Sequence, residues 1–132
     1  MTTEPSANPS ISLLIVEDCS ITLKCYANIL SMQCPEVTVY TASDGITGLE
    51  LFKAHMPDIV LTDLHMPEMD GRQMAENIRA IRPETKVIIL TGDKDRLGNF
   101  AWNEVVFDHV LEKPINFQKL FAALNQCMDE IA

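Results

Sequence analysis

The chain has 132 residues, 47% of them hydrophobic, and carries a net charge of −9 from 19 acids against 10 bases. That length fits one domain with its own core, and the negative balance argues against nonspecific binding of this segment to nucleic acid or to an anionic membrane. No apolar run approaches the ~20 residues that cross a bilayer, and the N-terminus, Met1 to Ser10, lacks the basic region and apolar core of a signal peptide.

In chain order, residues 1–10 are polar and hold two prolines, so they read as a disordered tail. Strand and helix then alternate five times. Ile11–Val16 is an apolar strand. A helix follows over Ser20–Met32, with Ile21, Leu23, Cys25, Ile29 and Leu30 as its apolar side, until Pro35 blocks continuation. Val37–Thr41 is a short second strand. Asp44 caps a helix reaching about His55, with Ile46, Leu49, Leu51 and Phe52 facing inward. Pro57 opens the third strand, Asp58–Thr62. Asp70 caps a helix to about Ile81, with Met74, Ala75, Ile78 and Ile81 at helical spacing, and Arg82-Pro83 ends it. Lys86–Leu90 is the fourth strand. Asp93–Asn103 holds charges, Gly98 and Trp102, and reads as a short or frayed fourth helix. Phe100 and Trp102 there read as core packing, with a partner or dimer face as the alternative. His109–Glu112 is the fifth strand. A last helix begins near Asn116, with Phe117, Leu120, Phe121, Leu124 and Met128 as its stripe. Met56, Met66, Met69 and Met74 read as core and loop residues. Cys19, Cys25, Cys34 and Cys127 form no C-x-x-C pair and read as free thiols in a reducing cytoplasm.

This alternation predicts an α/β fold, a doubly wound parallel sheet of five strands with helices on both faces. Strands one, three and four are almost wholly Ile, Leu and Val, as in strands covered on both sides. A parallel sheet gathers the carboxyl ends of its strands along one edge, where open α/β sheets bind ligands. The strands end on Glu17-Asp18, Asp63, Thr91 and Lys113-Pro114, so these residues should converge.

Three carboxylates brought together repel by about 4 kcal/mol per pair near 4 Å at an effective dielectric of about 20. A divalent cation removes that penalty, and all-oxygen ligands open to water favour Mg²⁺, with Mn²⁺ as a substitute. Asp63 is then the nucleophile candidate, able to take a phosphoryl group as an acyl phosphate. The Lys113 ammonium would bind one phosphoryl oxygen, and the Thr91 hydroxyl would donate to another.

The most specific stretch is Asp63-Leu-His-Met-Pro-Glu-Met-Asp-Gly71, where Pro67 and Gly71 shape a turn. With Glu17-Asp18, Thr91 and Lys113-Pro114, it resembles the receiver domain of the two-component response-regulator family over about Ile11 to Ile131. The resemblance implies the flavodoxin-like strand order 2-1-3-4-5. It implies a metal held by the Asp18 and Asp63 side chains and the His65 carbonyl, with Glu17 acting mainly through water. It implies a cis Lys113-Pro114 peptide and a phosphohistidine donor on a sensor kinase or phosphotransfer protein. It also implies that the domain promotes its own phosphorylation and its own hydrolysis, and is otherwise no enzyme.

Two positions stand out against that pattern. Val110 occupies a place where the family often has Tyr or Phe, and valine has no ring to rotate. The expectation is that the signal leaves instead through the loop and helix after Thr91, with Gly92 and Gly98 permitting movement. His65, two residues past Asp63, either overhangs the phosphoryl group or is an exposed loop histidine. Leu124, Met128 and Ile131 keep apolar spacing with no C-cap glycine, which favours a receiver segment of a longer protein bearing an output, kinase or cyclase domain. A phosphatase is the less favoured alternative, because Asp63-x-His65 lacks the second acid of a D-x-D nucleophile. A flavin or nucleotide carrier lacks its glycine-rich phosphate loop.

Overall fold

The computed structural model describes residues 11–92 and 107–131. The strands are β1 (Ser12–Val16), β2 (Thr38–Ala42), β3 (Ile59–Asp63), β4 (Lys86–Thr91) and β5 (His109–Glu112). The helices are α1 (Ser20–Gln33), α2 (Gly45–His55), α3 (Gly71–Ile81) and α4 (Phe117–Ile131). All strand pairings are parallel, in the order β2-β1-β3-β4-β5. This is the flavodoxin-like arrangement, with the order reversing beside β1.

The period-two alternation of side chains along a strand sorts the core into two halves. Leu13, Ile15, Ile59, Leu61, Ile88 and Leu90 point to one side and meet α1 and α4 through Leu23, Tyr26, Leu30, Leu120 and Leu124. Leu14, Val16, Val60, Val87 and Ile89 point to the other and meet α2 and α3 through Phe52, Met74, Ala75 and Ile78. Burying a side chain of this size stabilises by about 1.5–3 kcal/mol, and β3 is buried along its whole length.

Local signals start the helices. Asp44 accepts from the Thr47 N–H at 2.7 Å ahead of α2. Asp70 and Gln73 form a reciprocal capping box ahead of α3. Asn116 accepts from the Lys119 N–H at 3.1 Å ahead of α4. Such caps contribute about 1 kcal/mol each.

The opposite, N-terminal edge of the sheet is fastened by two similar clasps. Asp58 Oδ2 accepts from the Ser12 N–H at 2.9 Å, and its Oδ1 meets Arg82 Nη2 at 3.3 Å. Asp108 Oδ2 accepts from the Val87 N–H at 2.7 Å and from Arg79 Nη2 at 2.8 Å. Each carboxylate ties a neighbouring strand's backbone to an arginine from the end of α3 or just beyond it.

Several sequence expectations need correction. Ile21 is 80% exposed, and Cys25 also faces solvent; the inward face of α1 is Leu23, Tyr26 and Leu30, spaced by three and four residues. Ile46 lies outward at the start of α2, and Ile81 at the end of α3 is exposed too. Strand β2 runs one residue later than expected, to Ala42. The expected tail and the expected fourth helix, with Gly98, Phe100 and Trp102, lie outside the described residues.

Candidate functional site

The sheet register assembles the site. Val16 pairs with Thr62, so Glu17 and Asp63 leave adjacent strands side by side. Asp63 pairs with Leu90, and Thr91 with Glu112, so Thr91 and Lys113 come next along the same edge. Backbone bonds extend the pairing past the strand ends. Glu17 N–H donates to the Ala42 carbonyl at 3.1 Å, Leu64 N–H to the Leu90 carbonyl at 2.8 Å, and Lys113 N–H to the Thr91 carbonyl at 2.7 Å.

The side chains meet as a charge cluster. Lys113 Nζ lies 2.8 Å from Asp63 Oδ2 and 3.4 Å from Glu17 Oε1. Oxygens of Glu17, Asp18 and Asp63 all fall within 4.8 Å of one another. Glu17 and Asp63 are buried, at 2% and 6% exposure, whereas Asp18 is exposed. Among the described residues, one ammonium therefore pairs with the two buried carboxylates, and the exposed Asp18 lies beside them.

Burial raises the Glu17 carboxyl above its ordinary pKa. The Cys19 N–H, which donates to it at 3.1 Å, opposes that shift, and Asp18 and Asp63 add to it. Burial alone would lower the Lys113 ammonium, but its bond to Asp63 and the charges of Asp63 and Glu17 outweigh burial and hold its pKa above the usual value. The lysine attracts the acids without neutralising them.

This donor set fits a hard divalent cation. It offers three carboxylates and no sulfur, carries excess negative charge, and opens to solvent at Asp18. Glu17, Asp18 and Asp63 could hold such an ion.

The loop after β3 is built around close approaches. A Cβ on Gly71 would sit 2.5 Å from the Asp63 carbonyl oxygen, and one on Gly45 would sit 2.7 Å from the Met69 carbonyl oxygen. Both glycines are needed for the loop to lie against β3 and α2. Met69 N–H donates to the Pro67 carbonyl at 2.8 Å across Glu68, whose φ is 69°. This is a strained three-residue turn, and such conformations store on the order of 1–3 kcal/mol beside functional groups.

The remaining candidates take these places. Thr91 is fully buried at the end of β4. His65 is exposed in the loop after Asp63. Val110 is half-buried on β5 and packs, with Phe107, against the α2–α3 side of the core. The Lys113-Pro114 peptide is cis. Gly92 is exposed, with open space where a Cβ would stand.

Sequence reading passed over Tyr26. It is buried on α1 and packs edge-on against Phe117, with ring centroids 6.2 Å apart. The spacing Leu23, Tyr26, Leu30 carried the signal for its burial, but nothing in it named Phe117 as partner. All four cysteines are free, and burial pushes the Cys127 thiol up to about 11.

The family model described as "Response regulator receiver domain" matches residues 13–125. The transcriptional regulatory protein GlrR of Escherichia coli (strain K12) is 31% identical over 120 residues, covering 91% of this chain and 27% of that protein. The autoinducer 1 sensor kinase/phosphatase LuxN of Vibrio campbellii is 29% identical over 126 residues, covering 93% of this chain and 14% of LuxN. The crystal structure of a response regulator receiver domain protein from Clostridium thermocellum superimposes with a TM-score of 0.82 at 31% identity, covering 91% of this chain and 95% of that one. The chain thus spans about a quarter or less of these two curated relatives, which are larger proteins containing a similar segment. By the extent of the family match and of these likenesses, the chain belongs to the response regulator receiver domain family of two-component systems.

Proposed function

We propose that this domain is a phosphorylation-controlled switch in which Asp63 accepts a phosphoryl group from a phosphohistidine. The donor is a sensor histidine kinase or a phosphotransfer protein. Residues 11–131 form the receiver, which works in the cytoplasm, either alone through protein contact or as one segment of a longer protein with its own output domain. No helix among the described residues is long and apolar enough to cross a membrane.

In the transfer, a carboxylate oxygen of Asp63 forms a bond to phosphorus while the donor's P–N bond breaks and the imidazole keeps the electron pair. Hydrolysis later returns the carboxylate as water attacks the same phosphorus. Positioning and charge neutralisation carry most of the catalysis in such transfers. Asp18, Asp63 and the His65 carbonyl would hold Mg²⁺ (or Mn²⁺), with Glu17 acting through water. When bound, that ion offsets negative charge on the phosphoryl oxygens. Lys113 supplies a compact positive charge beside Asp63, where the incoming oxygens must lie. Thr91 donates its hydroxyl to another oxygen, and its burial limits the orientations open to it.

The observation that carries this reading is the 2.8 Å contact of Lys113 with Asp63 inside the cluster of three acids. Incubation with Mg²⁺ and acetyl phosphate, followed by intact-mass measurement, tests it. The expected result is a gain of one phosphoryl group, abolished in Asp63→Asn and by chelation of the metal. No gain in the wild-type protein would overturn the reading.

A further inference from the structure

The charges of the site arrive on three segments, with Asp63 at the end of β3. The β1–α1 junction carries Glu17 and Asp18, and the β5–α4 junction carries Lys113. Away from the charges, a ring contact joins the β1–α1 and β5–α4 segments. Tyr26 of α1 meets Phe117, the first residue of α4, at 6.2 Å and 73°, and Phe117 meets Phe121 at 6.1 Å. Ile115, Phe117 and Phe121 pack against the core cluster to which Tyr26 belongs.

We propose that Tyr26 is a positioning residue whose ring, through Phe117, fixes the Lys113–Phe117 segment and thereby keeps the Lys113 ammonium over Asp63 and Glu17. This rests on the phosphoacceptor reading above and adds a residue to it.

The physical case begins with the lysine. Its ammonium rides on a flexible four-carbon stem, so its position depends on how firmly its backbone root is held. That root follows a four-residue edge strand paired on one side, to β4. On the other side of the root, four residues on, stands Phe117 against Tyr26. An edge-to-face ring pair is favourable beyond the area it buries. It also joins the segment that carries Glu17 and Asp18 to the one that carries Lys113, so it opposes any drift between those two. The charges of Lys113, Glu17 and Asp63 reach the Tyr26 phenol, although burial is the main cause of its raised pKa. Tyr26 itself is not one of the paired or clustered charges of the site.

A double-mutant cycle tests the claim. The rate of phosphoryl gain from acetyl phosphate is measured by intact mass, with the Mg²⁺ dissociation constant measured by calorimetry. A misplaced group costs up to about 10²-fold, so Tyr26→Leu is expected to slow phosphorylation roughly 5- to 10-fold with Mg²⁺ affinity unchanged. Tyr26→Phe, which keeps the ring, should restore the rate, and Phe117→Leu should reproduce the defect from the other side. In a Lys113→Met background, Tyr26→Leu should have no further effect, because the two changes act through one group. Equal slowing in both backgrounds, or no slowing in either, overturns the proposal.

A second readout needs no phosphorylation. The Lys113 ammonium should give a slowly exchanging ¹H–¹⁵N signal in the wild type and in Tyr26→Phe, lost in Tyr26→Leu. Persistence of that signal in Tyr26→Leu also overturns the proposal. A wild-type protein that gains no phosphoryl group sinks the phosphoacceptor reading instead, and the ammonium signal then still decides the role of Tyr26.

Discussion

The two edges of the sheet handle charge in opposite ways. At the N-terminal edge, Asp58 and Asp108 each accept a backbone N–H from a neighbouring strand and each face an arginine. Lys86 adds contacts to Asp108 and Glu130. Those acids are satisfied by the fold itself. At the C-terminal edge, among the described residues, Lys113 pairs with Glu17 and Asp63 while Asp18 lies beside those acids, and the neighbouring loop holds Glu68 at positive φ. Among the described residues, one edge is arranged for stability, and the other leaves negative charge and backbone strain uncompensated. An uncompensated cluster gains from a ligand, whereas a satisfied one only loses by change. That difference in sign separates a functional edge from a structural one.

The largest expected effect tests the satisfied edge. Asp108→Ala removes the acceptor for the Val87 N–H and the partner of Arg79. Both side chains of the pair keep about a fifth of their surface exposed. The expected cost is therefore about 2–3 kcal/mol in urea unfolding, below that of breaking a fully buried pair. A loss under about 0.5 kcal/mol, the range of ordinary surface changes, would break the comparison on this side.

The opposite sign is expected for Glu17→Gln. It removes one buried negative charge while keeping the shape, so the metal-free protein should become more stable by about 1 kcal/mol, the remainder of like-charge repulsion after the pull of Lys113. Added Mg²⁺ should raise the melting temperature of the wild type and do so less in the variant, because binding to the native state stabilises by mass action. Destabilisation of the metal-free protein by Glu17→Gln would place this acid with the satisfied kind. A smaller gain, about 0.5 kcal/mol, is expected from Glu68→Gly, since relief of positive φ is partly offset by glycine's greater entropy loss on folding. Equal stability of the two proteins would mean that this turn holds no strain.

What was legible in the sequence divides along the same line. Residues at the carboxyl ends of parallel strands converge on one edge, so Glu17, Asp18, Asp63 and Lys113 could be brought together from their places at strand ends, whereas the strand order came only from the family resemblance. The central strands were legible because continuous Ile, Leu and Val runs suit burial on both faces. The clasps were not. An aspartate ahead of a strand looks like any loop acid, and the arginines that hold Asp58 and Asp108 lie 24 and 29 residues away. The face of α1 was misread because Ile21 and Cys25 are apolar by type, whereas helical spacing selects Tyr26. The pairing of Tyr26 with Phe117 depends on α1 and α4 lying on the same side of the sheet, which local sequence does not state.

A change in pH separates charge from shape at Glu17. Its carboxyl titrates above the ordinary carboxylate range in the folded protein, chiefly through burial. Between the ordinary value and the raised one, the folded state binds more protons than the unfolded state, so stability must fall as pH rises through that window. The useful quantity is the stability of Glu17→Gln minus that of the wild type, measured in chelator. Above the raised value the wild type bears the full cost of the buried charge, and the difference should be at its largest. As pH falls through the raised titration of Glu17, the wild-type carboxyl takes up its proton and comes to resemble the amide, so the difference should shrink toward zero. A difference constant with pH would mean that glutamine gains through packing and that charge at this edge is not what the fold leaves uncompensated.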